Sequence, residues 1–145
     1  MKSKNNLKEL SYYGLLLRSY LTESHPDKAE DTKFIKSRAD IAAETYSNAR
    51  KDGYSHDRAS EAASQALYTG LLFSKLDTIR HILWEEFSYL SESEVNTKAL
   101  KLLPLCEEVF ADYTLHDEFA YSFEYNQLYT ELVGQIDLLE DEDEL

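Results

Sequence analysis

"GLLFSKLDTIRHILWEEF", Gly70 to Phe87, is the stretch whose reading decides the fold class. Leu72, Leu76, Ile79, Leu83, Phe87 and, just beyond, Leu90 recur every three or four residues. That spacing lays one apolar stripe along a helix and fits no strand. The same stretch carries Asp77, His81 and Glu85, each four residues from the next. On a helical wheel with Leu76 at zero these three fall at about 100°, 140° and 180°, while the stripe centres near about 340°. They are neighbours on the helix surface, and they point away from the core. A His–Glu pair at this spacing holds a metal only if further ligands arrive from elsewhere. His81 and Glu85 are therefore candidate metal ligands by residue type, and the expected reading is a solvated helix face with no metal.

Working outward, the segment just before it has a different stripe. Ala59, Ala62, Ala63, Ala66 and Gly70 lie on one face, with Phe73 near its edge. Small residues let two helices approach closely. The two stripes are rotated by well over a right angle if one rod runs through both, so a break near Gly70–Ser74 is expected. Ser74-Lys-Leu-Asp77 has the form of a capping box and would open the next helix. Ser55 caps the helix before it, with Asp57 in its positive first turn. Ser91-Glu-Ser-Glu94 opens a fifth helix reaching about Asp112, in which Pro104 predicts a kink or a split.

Three more helices complete the pattern. The first runs from about Asn5 to Thr22, with Leu7, Leu10, Gly14, Leu17 and Leu21 on one face. The second runs from about Pro26 to Lys51 and is ended by Gly53; its thin stripe is Phe34, Ile41, Thr45 and Ala49, broadened by Ile35, Ala42 and Tyr46. The last runs from about Ser122 to Leu139, with Tyr125, Leu128, Tyr129, Leu132 and Ile136 together. The stretch 113–124 is ambiguous, because Phe119, Tyr121, Phe123 and Tyr125 alternate with smaller or polar residues at strand spacing. A short strand at 119–125 is thus the alternative to turn there. The expected fold is all-α: a single compact bundle of about six helices over residues 1–139, followed by an acidic C-terminal tail at 140–145, with the third and fourth helices at its centre.

The chain has 145 residues, 43% hydrophobic and 30% charged, with only 4 glycines and 2 prolines. That composition suits long helices better than a turn-rich sheet. A single cysteine, Cys106, precludes an internal disulfide, and its apolar neighbours suggest a small buried hydrophobe. There is no apolar run of the length a membrane span needs and no signal-peptide core, so a cytoplasmic protein is expected. Charge is uneven. Residues 1–75 carry 12 Lys and Arg against 10 Asp and Glu, whereas residues 76–145 carry 3 against 18. Direct contact of the second half with a phosphate backbone is disfavoured, and a basic protein partner is favoured.

Other site candidates are few. His-Asp occurs at His56-Asp57 and at His116-Asp117. Helical metal-dependent phosphohydrolases use such a dipeptide, so an enzyme built on His56, Asp57 and another histidine is the alternative function. Against it, Asp57 already has a helix start to serve. No Gly-rich phosphate loop and no G-x-S-x-G is present, and no cofactor is expected. The eleven tyrosines could fill the core or build a contact surface. Around Tyr113–Tyr129 the interleaved charges are acidic, unlike a base-stacking surface. Self-association into a homodimer is a further alternative. The leading expectation is a non-enzymatic interaction protein, with partner, oligomeric state and the role of the tail left open.

"DRASEAASQALYTGLLFSKLDTIRHILWEEF", Asp57 to Phe87, resembles the signature region of a family of small uncharacterised helical proteins, a domain of unknown function from anaerobic gut and oral bacteria, often near mobile conjugative elements. The likeness rests on Ala59, Ala62, Ala63 and Ala66, on Gly70 to Thr78, and on Ile82, Leu83, Glu86 and Phe87. It implies a bacterial, cytoplasmic, mostly helical protein. It transfers no catalytic or binding residue.

Overall fold

The computed structural model describes residues 11–142. The all-α expectation holds: the described residues are 76% helical, and they form seven α-helices and no strand. Contacts divide into two compact units, Met1–Thr69 and Gly70–Leu145.

In the first unit, α1 spans Tyr12–Ser24 and is opened by Ser11, whose hydroxyl accepts from Gly14 N–H at 3.2 Å. The expected start near Asn5 lies outside the described residues. Leu17 and Leu21 are fully buried, as their stripe predicts. Helix α2, Thr32–Lys51, starts later than Pro26. Pro26–Lys28 form only a short 3-10 turn, and the helix proper is nucleated by Asp31, whose carboxylate accepts from Phe34 N–H at 3.1 Å. An Asx cap five residues after the proline outcompetes the proline as the start signal. The buried face of α2 is Ile35, Ala39 and Ala42, and Ile41 is 47% exposed. Ile35 and Ala42 belong to the broadened stripe, while Phe34, Thr45, Tyr46 and Ala49 are half-buried beside this face, so only Ile41 of the expected stripe is turned to solvent and Ala39 is the addition. Gly53, at φ +95°, ends the helix in the left-handed conformation that favours glycine.

Helix α3, His56–Tyr68, begins at Ser55, which accepts from Arg58 N–H at 3.2 Å. It folds back on α2 through Ala59, Ala63 and Leu67, all fully buried. Its far end is closed by Arg38 of α2, which donates to the carbonyls of Leu67 (3.1 Å) and Thr69 (2.6 Å). A cation at a helix C-terminus satisfies orphan acceptors and complements the dipole together. Tyr20 of α1 meets Tyr68 edge to face at 5.0 Å.

The second unit opens at Gly70, φ +83°, so the expected break is where the stripes change. The carboxylate of Asp117 accepts from the N–H groups of Gly70 (2.7 Å) and Leu72 (3.0 Å), holding the turn from 47 and 45 residues away. Leu72 is 61% exposed and belongs to this turn, not to the stripe. Helix α4, Lys75–Glu86, is capped by Ser74, which accepts from Asp77 N–H at 3.0 Å. Its inner face is Leu76, Thr78, Ile79, Ile82 and Leu83, followed by Phe87.

Helix α5, Glu92–Leu105, has the complete capping box: Ser91 N–H donates to the Glu94 carboxylate at 2.8 Å, and Glu94 N–H donates to the Ser91 hydroxyl at 3.2 Å. Pro104 lies in its last turn, and the predicted split falls at Cys106, after which α6 covers Glu107–Ala111. Helix α7 is Tyr125–Asp141, with Leu128, Leu132 and Ile136 buried. Helix α4 packs on α5 and α7, and α6 on α7.

The strand considered at 119–125 does not form. Phe119–Tyr121 is a 3-10 turn, and Tyr125 already begins α7. Phe119 alone of the alternating aromatics is fully buried, with Phe73, Tyr113, His116 and Tyr125 around its ring at 5.3 to 6.4 Å. One anchor side chain fixes this segment, so the alternation has no sheet behind it.

Candidate functional site

Asp77, His81 and Glu85 are all exposed, turned away from the side of α4 that buries Leu76, Ile79 and Leu83. Asp77 pairs with Arg80 at 2.6 Å, and Arg80 also donates to the Asn96 amide oxygen at 3.0 Å. His81 meets the ring of Tyr129 at 6.1 Å, edge on. This is the geometry of a helix surface whose polar groups serve their neighbours. Among the described residues no group of three His, Cys, Asp or Glu converges so as to hold a metal ion.

The two His-Asp dipeptides also have local structural tasks. His56 Nδ1 shares a hydrogen bond of 2.8 Å with the Tyr46 hydroxyl, while Asp57 sits exposed in the first turn of α3. His116 Nδ1 accepts from Glu118 N–H at 3.3 Å, and Asp117 clasps the Gly70 turn. Cys106 is buried in the core between α5 and α6. Burial, with Glu107 nearby adding to it, pushes its thiol up to about 11, the opposite of what a nucleophilic thiolate requires.

Tyr113, Tyr125 and Tyr129 pack their rings against the core of the second unit. Three tyrosine hydroxyls of this unit donate to surface carboxylates: Tyr113 to Glu131 at 2.8 Å, Tyr129 to Glu86 at 2.9 Å, and the exposed Tyr89 to Glu140 at 2.9 Å. Partial burial first, and then these carboxylates, push Tyr113 and Tyr129 up to about 12. Glu140 also takes the Lys98 ammonium, which holds its carboxyl below the usual range. Helix α7 therefore carries the first two residues of the expected tail, Glu140 and Asp141. Residues 143–145 lie outside the described part.

Three surface features had no separate signature in the sequence. Tyr121 and Phe123 are 89% and 97% exposed, on a turn held by Ser122, whose hydroxyl donates to the Phe119 carbonyl at 2.7 Å. The second feature is a groove of about 240 Å³ at the joined ends of α4 and α5, lined by Trp84, Ser88, Leu90, Glu92 and Val95. Trp84 is the only tryptophan in the chain and is 53% exposed there. In the first unit, a second groove of about 330 Å³ lies over Ala49, Tyr54, Arg58, Glu61, Ala62 and Gln65, with the Arg58 guanidinium 5.7 Å from the Tyr54 ring centre. No helix among the described residues is long and apolar enough to cross a membrane.

Comparison with known proteins adds the relationship. No curated protein matches the chain. The crystal structure of protein PG0816 from Porphyromonas gingivalis is similar at 40% identity, with a TM-score of 0.85, over 97% of this chain and 96% of that one. The family model described as a domain of unknown function, DUF1896, matches residues 5–145. The resemblance read from the Asp57–Phe87 segment thus extends over nearly the whole polypeptide, and the chain belongs to the DUF1896 family.

Proposed function

We propose that the protein is a non-enzymatic interaction module of the cytoplasm whose acidic second half engages a basic protein partner. The observation that carries this reading is how the charge of that half is distributed. Residues 70–145 contain 18 Asp and Glu and 4 Lys and Arg. Three of those four cations are paired within the unit: Lys75 with Glu107 at 2.9 Å, Arg80 with Asp77, and Lys98 with Glu140. Among the described residues most of the other carboxylates of this unit are exposed, with little internal counter-charge. Such a surface repels a phosphate backbone and attracts a basic protein surface, accelerating encounter more than it strengthens the final complex. The exposed Tyr121 and Phe123 sit between Glu118 and Glu124 and offer the kind of aromatic area that dominates contact energies.

Capture of partners at low and high ionic strength tests the proposal. The expected result is a basic partner that is held at low salt and released as salt rises. Recovery of no partner at low salt, or only of partners indifferent to salt, would overturn it. A phosphohydrolase built on His56 and Asp57 is the weaker reading, since His56 is engaged by Tyr46 and no third ligand converges on the pair among the described residues.

Self-association is a second reading with an observation of its own. Tyr12, Leu15 and Leu16 on α1 and Ile41 on α2 are exposed apolar side chains of the first unit. A dimer mass in light scattering at micromolar concentration would favour it, and a monomer mass would remove it.

A further inference from the structure

We propose that the groove between Trp84 and Glu92 receives one cationic side chain, an arginine above all, from a basic segment of the partner protein. The inference rests on the interaction reading above and names the part of the acidic unit that would recognise the partner. The groove is lined by the exposed Trp84, by the apolar Leu90 and the buried Val95, and by two polar residues, Ser88 and Glu92. At about 240 Å³ it is smaller than the roughly 300–1,000 Å³ of a small-molecule pocket, so a single side chain is the better-sized occupant.

Chemistry selects the kind of side chain. A purely apolar occupant would cover Glu92 and leave a desolvated carboxylate without a partner, which is unfavourable. A cation over the indole face with the carboxylate in reach satisfies both walls together. Arginine suits this best, because its planar fork stacks on the ring and pairs with a carboxylate at once. Nearby cations of the protein itself have other duties: Arg80 is held by Asp77 and Asn96, and Lys98 by Glu140.

The positive end of α5 works against a cation, but only by about half a charge. It faces the full carboxylates of Glu92 and Glu94 in the same first turn. The Ser91–Glu94 box also already occupies part of the exposed N–H array. The local balance is therefore negative, in line with the unit as a whole.

The test uses the full chain and an octa-arginine peptide. Fluorescein-labelled peptide reports affinity by anisotropy, and unlabelled peptide reports contact through Trp84, whose emission is the only indole signal in the chain. The proposal expects a saturable change in Trp84 emission. Trp84→Leu keeps the apolar bulk and removes the indole, and Glu92→Gln keeps the size and removes the charge; each is expected to weaken binding by about five-fold. Glu108→Gln removes the same charge from outside the groove and is expected to weaken binding by less than about two-fold. Far-UV circular dichroism confirms that each variant is folded. Peptide that binds while both groove variants keep wild-type affinity would overturn the groove and leave the acidic-surface reading standing. Peptide that fails to bind even at low salt would overturn both.

Discussion

The two units solve the same problem with different side chains. The first packs its helices through Ala39, Ala42, Ala59 and Ala63, with Leu17, Leu21, Ile35 and Leu67 around them. The second fills its interior with Leu76, Ile79, Ile82, Leu83, Leu102, Phe110, Phe119, Leu128, Leu132 and Ile136. Small residues bring helix axes close, and large ones fill wider spaces between them. The units also differ in charge: residues 1–69 are close to neutral, and residues 70–145 are strongly acidic. Each interior is apolar, so neither requires the acidic excess. That excess is a surface property, which is why it carries the functional proposal.

The contrast in packing can be broken most severely at Phe119. Phe119→Ala removes the ring that anchors the 113–124 segment and is expected to cost about 3–5 kcal/mol. Trp84 emission during urea unfolding reads this directly, because the indole lies in the same unit. A loss below about 1 kcal/mol would mean that Phe119 is not the anchor. The opposite change probes the first unit. Ala63→Leu, against a close-packed α2–α3 contact, is expected to destabilise by about 1–3 kcal/mol through overpacking. A neutral or stabilising result, read by far-UV circular dichroism in urea, would show slack where the structure has none. Smaller again is Asp117→Ala, which releases the N–H groups of Gly70 and Leu72 into a partly solvated turn, at about 1 kcal/mol.

The subtlest difference is alkaline. Tyr113 and Tyr129 have folded values raised to about 12, above the ordinary value near 10. The native state thus holds protons that the unfolded state has already released. Their contribution is fully present below about pH 10 and is lost as pH rises from about 10 towards 12. Urea midpoints measured from pH 8 to 11 should begin to fall near pH 10. Tyr129→Phe should flatten that decline, and an unchanged decline would sever the link to the Tyr129–Glu86 bond. Glu94 and Glu140, held low by Ser91 and by Lys98 respectively, work in the other direction. Their contribution is present above the unfolded carboxylate values and is lost as pH falls through the folded ones.

Much of the fold was legible because its signals are local. Ser55, Ser74 and Ser91 cap the helices they precede, Gly53 and Gly70 adopt the left-handed turns, and the chain splits just after Pro104. The outward aim of His81 followed from spacing alone, because the stripe of α4 is nearly unbroken. The misreadings arose where distant contacts decide. The Phe119 alternation left a short strand open as the alternative to a turn, and only the surrounding rings from Phe73 to Tyr125 make it an anchored turn. Glu140 looked like the start of a solvated tail, yet Lys98 and Tyr89, 42 and 51 residues earlier, hold it. The Trp84 groove could not be found by pattern, since it is made where two helix ends meet.

Native mass measurement of the untagged protein, taken at low salt from extract of its own cells, tests the central claim most directly. The account expects the polypeptide bound to a basic protein, with the complex dissociating as ionic strength rises and no stoichiometric metal present. A polypeptide carrying one transition-metal ion per chain and no protein partner would contradict it.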